Sequence, residues 1–197
     1  PLSAATADDT YDHIAAKLGD PEMRPRALFE SFGIEVLATT DDPLDDLAGH
    51  AALAAEGAVG RVVPTFRPDR YLDPDAVGFA DNVQRLLAAT GRPNTFAGYL
   101  EALEQRRRYF IDHGAVSADH GVEIPDTLDL DAPEGGALFA RVLAGDADDG
   151  DRHAFRAHML LQMARMSVED GLVMTVHAGV VRNHSSATLR RFGADSG

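Results

Sequence analysis

Four short runs of strand type, separated by stretches of helical periodicity, set the limits on what this chain can fold into. The runs are Ile34 to Thr40, Val59 to Thr65, Ala115 to Asp119 and Leu172 to His177. Helices are expected from Thr6 to Leu18, with Tyr11, Ile14, Ala15 and Leu18 on one face, and from Pro25, with Leu28, Phe29 and Phe32 inward. Further helices are expected over Leu44 to Glu56, Pro74 to Thr90, Thr95 to His113, Gly136 to Ala144 and Arg152 to Glu169. Strands that alternate with helices in this way pair in parallel, through right-handed crossovers. The expected class is therefore α/β with a parallel sheet. In such a sheet ligand chemistry gathers at the carboxyl ends of the strands.

Four strand ends carry residues suited to that position. After the first run comes Thr39-Thr40-Asp41-Asp42-Pro43. Capping of the following helix accounts for Asp42, Asp45 and Asp46, which leaves Asp41 free to face a site. After the second run comes Arg67, whose backbone is biased towards extended geometry by Pro68. A planar guanidinium there suits bidentate capture of a carboxylate. The plainer reading is an ion pair with Asp69 or Asp73.

The third end holds Asp119 and His120, in a loop flanked by Gly114 and Gly121. Such a pair can serve as acid, base or ligand, or be an ordinary turn. The fourth runs from His177 to Arg182, Asn183 and His184, a titratable ring beside a fixed positive charge. His50, His153 and His158 lie on expected helices and read as surface or packing residues.

The chain has 32 acidic and 18 basic residues, no cysteine and a net charge of −14. That charge argues against nucleic acid or an anionic membrane as partner. The absence of cysteine excludes a disulfide scaffold and makes a cytoplasmic location the default expectation. No apolar run reaches membrane-spanning length. Gly-rich phosphate loops, G-x-S-x-G elbows and H-E-x-x-H motifs are absent. The acidic turn Asp146 to Asp151 lacks EF-hand spacing. The chain opens on Pro1-Leu2 and stops at Ser196-Gly197, which reads as a piece of a longer polypeptide.

Taken in order, Thr39-Thr40-Asp41-Asp42-Pro43, Pro64-Thr65-Phe66-Arg67-Pro68-Asp69, Val116 to His120, His177 to Asn183 and Phe192 to Gly197 resemble the uronate (glucuronate) isomerase family of the amidohydrolase superfamily. The resemblance implies a partial (β/α)8 TIM-type barrel covering about strands two to five, with large helical insertions. It implies one incomplete barrel domain over 1–197 and a helical insertion at 122–170. The implied reaction is aldose–ketose isomerisation of D-glucuronate to D-fructuronate, and of D-galacturonate to D-tagaturonate.

On the same ground, Asp119 and His177 would be catalytic, and Arg67, Arg182 and Asp41 would bind the hexuronate substrate. Asp119 stands one residue later than in many relatives, after Ser117-Ala118. A divalent metal, zinc, is implied for full-length members, but the family's His-x-His and late-strand Asp are missing here. Its ligands are therefore unknown for this chain, and the chain alone is expected to be inactive. It is also expected to self-associate or to take up a complementary barrel half. Two other functions fit parts of the pattern: a non-catalytic association fragment, and another metal-dependent hydrolase of the amidohydrolase type.

Overall fold

The computed structural model describes residues 2–57, 60–179 and 184–193. The described helices are α1 (Ala7–Leu18), α2 (Pro25–Ser31), α3 (Ala48–Ala55), α4 (Asp69–Leu72), α5 (Phe79–Thr90), α6 (Phe96–Asp112), α7 (Ala132–Ala144), α8 (Asp149–Asp170) and α9 (Ser186–Phe192). The strands are β1 (Val36–Ala38), β2 (Arg61–Val63), β3 (Thr65–Phe66), β4 (Ser117–Val122) and β5 (Val173–Ala178). All pairings are parallel, as the alternation requires: β1 with β2, β3 with β4, and β4 with β5.

β2 and β3 form one run broken at Pro64, which has no N–H to offer a ladder. The segment after β1 splices the break. Asp41 N donates to Thr65 O at 2.9 Å, and Arg67 N donates to Asp41 O at 3.1 Å. A bridge between Asp41 and Phe66 joins the two sheets. The strands therefore follow one another across the array in chain order.

One side of this array is covered by helices. Phe66 on β3 meets the edge of the Phe110 ring on α6 at 5.2 Å. Val83, Leu86, Tyr99, Leu103, Phe155, Met159 and Met163 complete a buried core. The expected inward residues Phe79, Val83, Leu86 and Leu87 of α5 are all buried. A charged group crosses the same core. Arg107 on α6 is 0% exposed. Its Nε donates to Asp170 Oδ2 at 2.6 Å, and its Nη2 donates to Asp170 Oδ1 and to Ser167 Oγ, both at 2.9 Å. Its Nη1 is buried without a hydrogen-bond partner. Asp170 Oδ1 also accepts Leu172 N, so the pair fixes the turn from α8 into β5.

Several boundaries differ from expectation for identifiable reasons. α3 starts at Ala48, not Leu44, because Asp42, Asp45 and Asp46 spend their carboxylates on local turns. They accept from Leu44 N, Leu47 N and Ala48 N. Leu47, with φ 53°, adds a left-handed residue that no helix can contain. α7 starts at Ala132, not Gly136, on a complete capping box between Asp131 and Glu134. Its Gly135 has a packing role, since a Cβ there would lie 2.9 Å from the Phe96 ring. The faces of α1 and α2 are less covered than expected. Neither helix has a buried residue, and Phe32 is exposed.

Candidate functional site

Side chains alternate along a strand, so residues paired in parallel register share a face. Thr65 pairs with Ser117, Asp119 with Thr175, and Gly121 with His177. These residues line the face turned away from the helices. Phe66, Ala118 and His120 line the other. The separation is chemical as well as geometric. The helix-facing side is largely apolar, and the open side carries hydroxyls, carboxylates and an imidazole.

Asp119 is the centre of the polar face and is 4% exposed. Thr175 Oγ1 donates to its Oδ1 at 2.6 Å. His177 Nε2 lies 3.4 Å from the same oxygen, and Arg67 Nη1 lies 3.6 Å from Oδ2. Among the described residues Oδ2 has no hydrogen-bond partner. A buried carboxylate oxygen without a donor is costly, and a substrate hydroxyl or a water would relieve that cost. Three of the five expected site residues, Arg67, Asp119 and His177, are thus brought together. Arg182 lies outside the described residues.

Asp41 lies one strand away, in register with Phe66 and so with the helix-facing side and not with Asp119. Its Oδ2 accepts Thr39 Oγ1 at 2.7 Å and Thr65 N at 3.2 Å. His50, expected to be a surface or packing residue, instead comes to this group. Its Nε2 is 2.8 Å from Thr39 Oγ1 and 3.8 Å from Asp41 Oδ2. A histidine three residues into an alanine-rich helix gave no signal of this. His158 is a packing residue, accepted by Leu128 O. His153 is a surface residue paired with Asp126.

Asp69 is the partner that the plainer reading of Arg67 named. Its Oδ2 accepts Arg67 Nε at 2.9 Å, and its Oδ1 accepts Gly121 N at 3.0 Å. Thr175 was missed because a threonine inside an apolar run reads as a strand former. His120 follows Asp119 and so turns to the helix side, where it is buried. Its Nδ1 donates to Thr175 O at 3.2 Å, which leaves Nε2 as a buried acceptor without a partner. Burial holds its pKa below the ordinary histidine value, so the ring is neutral near pH 7. His120 itself lines a cleft with Asp69, Asp73, Glu123 and Arg156.

Among the described residues, no group of three or more histidine, aspartate or glutamate side chains could hold a metal ion. The described residues therefore do not fit the divalent ion implied by the resemblance. No described helix is long and apolar enough to cross a membrane.

Comparison with known proteins agrees with the order of the motifs. The family model for glucuronate isomerase matches residues 1–197. The uronate isomerase of Rhizobium meliloti (strain 1021) is 51% identical over 196 residues, covering 99% of this chain and 42% of that one. That of Rhizorhabdus wittichii is 52% identical over 197 residues, covering 100% and 42%. Among solved structures, a glucuronate isomerase from Caulobacter crescentus superposes with a TM-score of 0.91 at 42% identity, over 99% of this chain and 41% of that chain. A uronate isomerase from Thermotoga maritima gives a TM-score of 0.90 at 29% identity, over 100% and 44%. The chain therefore spans about two fifths of the length of the relatives it matches.

Proposed function

Because this chain belongs to the glucuronate isomerase family, we propose that its polar sheet face is one flank of a site for aldose–ketose isomerisation of a hexuronate. The observation that carries this reading is the convergence of Arg67, Asp119 and His177 on one face, with both contacts to Asp119 within 3.6 Å. Support for an arc of a (β/α)8 barrel comes from the chain-order sequence of parallel strands and from the superposition on the solved relatives. On that reading residues 1–197 form one incomplete domain of the amidohydrolase type, with 122–170 as a helical insertion.

An isomerase of this class must remove a proton beside a carbonyl, stabilise the resulting enediolate, and return a proton at the neighbouring carbon. The substrate's distant carboxylate serves as a handle for positioning. Arg67 has the free guanidinium nitrogens to hold that carboxylate or a hydroxyl. His177 polarises the carbonyl, oriented by Asp119 Oδ1. Asp119 Oδ2 accepts a substrate hydroxyl or relays its proton. By resemblance, Arg182 and Asp41 would also bind the substrate.

The test is a chimera in which residues 1–197 replace the matching stretch of the relative that is 51% identical. It should isomerise D-glucuronate. Arg67→Ala, Asp119→Ala and His177→Ala should each lower kcat/KM on the order of a hundredfold or more. A folded chimera without turnover, or variants with unchanged kcat/KM, would overturn the reading. The chain by itself should show negligible turnover, and turnover matching a full-length relative would refute that.

A further inference from the structure

Arg67 and Asp119 carry opposite charges on one face, and yet they do not hydrogen-bond: the nearest approach is 3.6 Å. An arginine that close to a buried carboxylate with a free oxygen would ordinarily close the gap. Something holds it back. Its backbone N is tied to Asp41 O at 3.1 Å, and its Nε is tied to Asp69 Oδ2 at 2.9 Å. Asp69 is itself anchored, because its other oxygen accepts Gly121 N at 3.0 Å. That bond exists because the pairing of β3 with β4 runs only as far as Phe66 and Ala118. Beyond that point Asp69 takes the place of a strand partner for Gly121.

The residue at position 121 completes the device. Gly121 stands on the same face as Asp119, where a side chain would point into the site. A Cβ there would lie 2.9 Å from Asp69 Oδ2 and 3.5 Å from Arg67 Nη2. The backbone at Gly121 is not in the left-handed region, so glycine is not required there for conformational reasons. A methyl there would have to displace the Asp69 carboxylate.

We propose that Asp69 is a positioning residue, seated in the slot that the missing side chain of Gly121 leaves, and that it restrains Arg67 from collapsing onto Asp119. Asp69 and Asp119 compete for one guanidinium. With Nε committed to Asp69, Arg67 keeps its Nη groups on the site face, and Asp119 Oδ2 stays available. Without Asp69, Arg67 and Asp119 would neutralise each other, and both would be lost to a ligand. This deepens the reading proposed above, since it takes Arg67 as the substrate-facing cation, but the geometry of the slot can be tested without a substrate.

The experiment uses the 197-residue chain with uniform nitrogen-15 labelling and follows the Arg67 Nε–H signal, assigned by its loss in Arg67→Lys. In the parent the Nε–H should exchange with water at least tenfold more slowly than that of an exposed arginine. Gly121→Ala and Asp69→Ala should each remove that protection while the thermal midpoint stays close to the parent's. A role confined to folding would shift the midpoint and leave the signal of the folded fraction unchanged. An unprotected Nε–H in the parent, or undiminished protection in whichever variant folds, would overturn the proposal. Addition of D-glucuronate separates the two readings. A protected Nε–H that no concentration of D-glucuronate perturbs would count against the proposed substrate while leaving the slot in place.

Discussion

Removing the Asp170 carboxylate is expected to destabilise the protein far more than removing the arginine it pairs with. Arg107 is fully buried beside Phe66, and two of its three nitrogens are satisfied by Asp170 and Ser167. Asp170→Ala leaves that guanidinium in the core with Ser167 alone, and it also orphans Leu172 N. An uncompensated buried charge of this kind costs about 3–5 kcal/mol. For a chain of this size that is a fall of roughly 6–20 °C in Tm. Arg107→Met is different. It removes the charge, fills most of the same volume, and eliminates the unpartnered Nη1, whose burial costs about 1–3 kcal/mol. Asp170 keeps its bond from Leu172 N and is partly exposed, with a side-chain exposure of 23%, so it can stay hydrated. The expected net change is within about 1 kcal/mol of the parent. Urea unfolding followed by circular dichroism compares the two directly. A loss for Arg107→Met as large as that for Asp170→Ala would refute the assignment of the cost to a stranded charge.

The remaining expectations concern pH, packing and association. His120 is held neutral by burial, so its contribution to stability is full above the unfolded value of 6.5 and is lost as pH falls from there through the folded value. The slope should approach about 1.4 kcal/mol per pH unit within that window. His120→Asn, which can still donate to Thr175 O, should flatten it; an identical pH dependence of unfolding in parent and variant would refute the assignment. The adjacent glycines of α7 should respond with opposite sign. Gly136 faces open space, so Gly136→Ala should stabilise by about 0.5–1 kcal/mol. Gly135→Ala forces a methyl against the Phe96 ring and should destabilise by about 1–2 kcal/mol, read from paired melting curves. Both outer strands, β1 and β5, present exposed apolar side chains such as Val36, Leu37 and Val173. Unpaired edges of this kind favour self-association, which light scattering would register; a monodisperse monomer would contradict it.

Local pattern carried most of the fold. The strand-like runs are bounded by Gly, Pro and Asp, and helix α5 buries the residues its periodicity nominates. What local pattern did not carry was decided by side chains acting as backbone partners. Asp42, Asp45 and Asp46 look like the capped start of a helix but close three turns ahead of it. Asp41 and Asp69 act as ladder partners where strands stop, and only the register reveals this. The capping box at Asp131 was readable, but the Gly135-Gly136 pair obscured it, because its reason for being there is contact with Phe96 on another helix. The site was legible to the same depth. Residue types at strand ends pointed to Arg67, Asp119 and His177. The facing of His120, the donor Thr175 and the approach of His50 all depend on which strand lies beside which.

The two residues that flank Asp119, Arg67 and His177, differ in how firmly the fold grips them. Arg67 is fixed at both ends by hydrogen bonds, whereas His177 sits 57% exposed on β5, paired along one side only among the described residues. Fraying of β5 would carry the imidazole off the carboxylate at a fraction of the global unfolding free energy, with the aromatic core intact. Occupancy of the histidine-in state thus follows the local stability of β5. Amide exchange along 173–178 reports the same equilibrium that sets how often the triad is assembled.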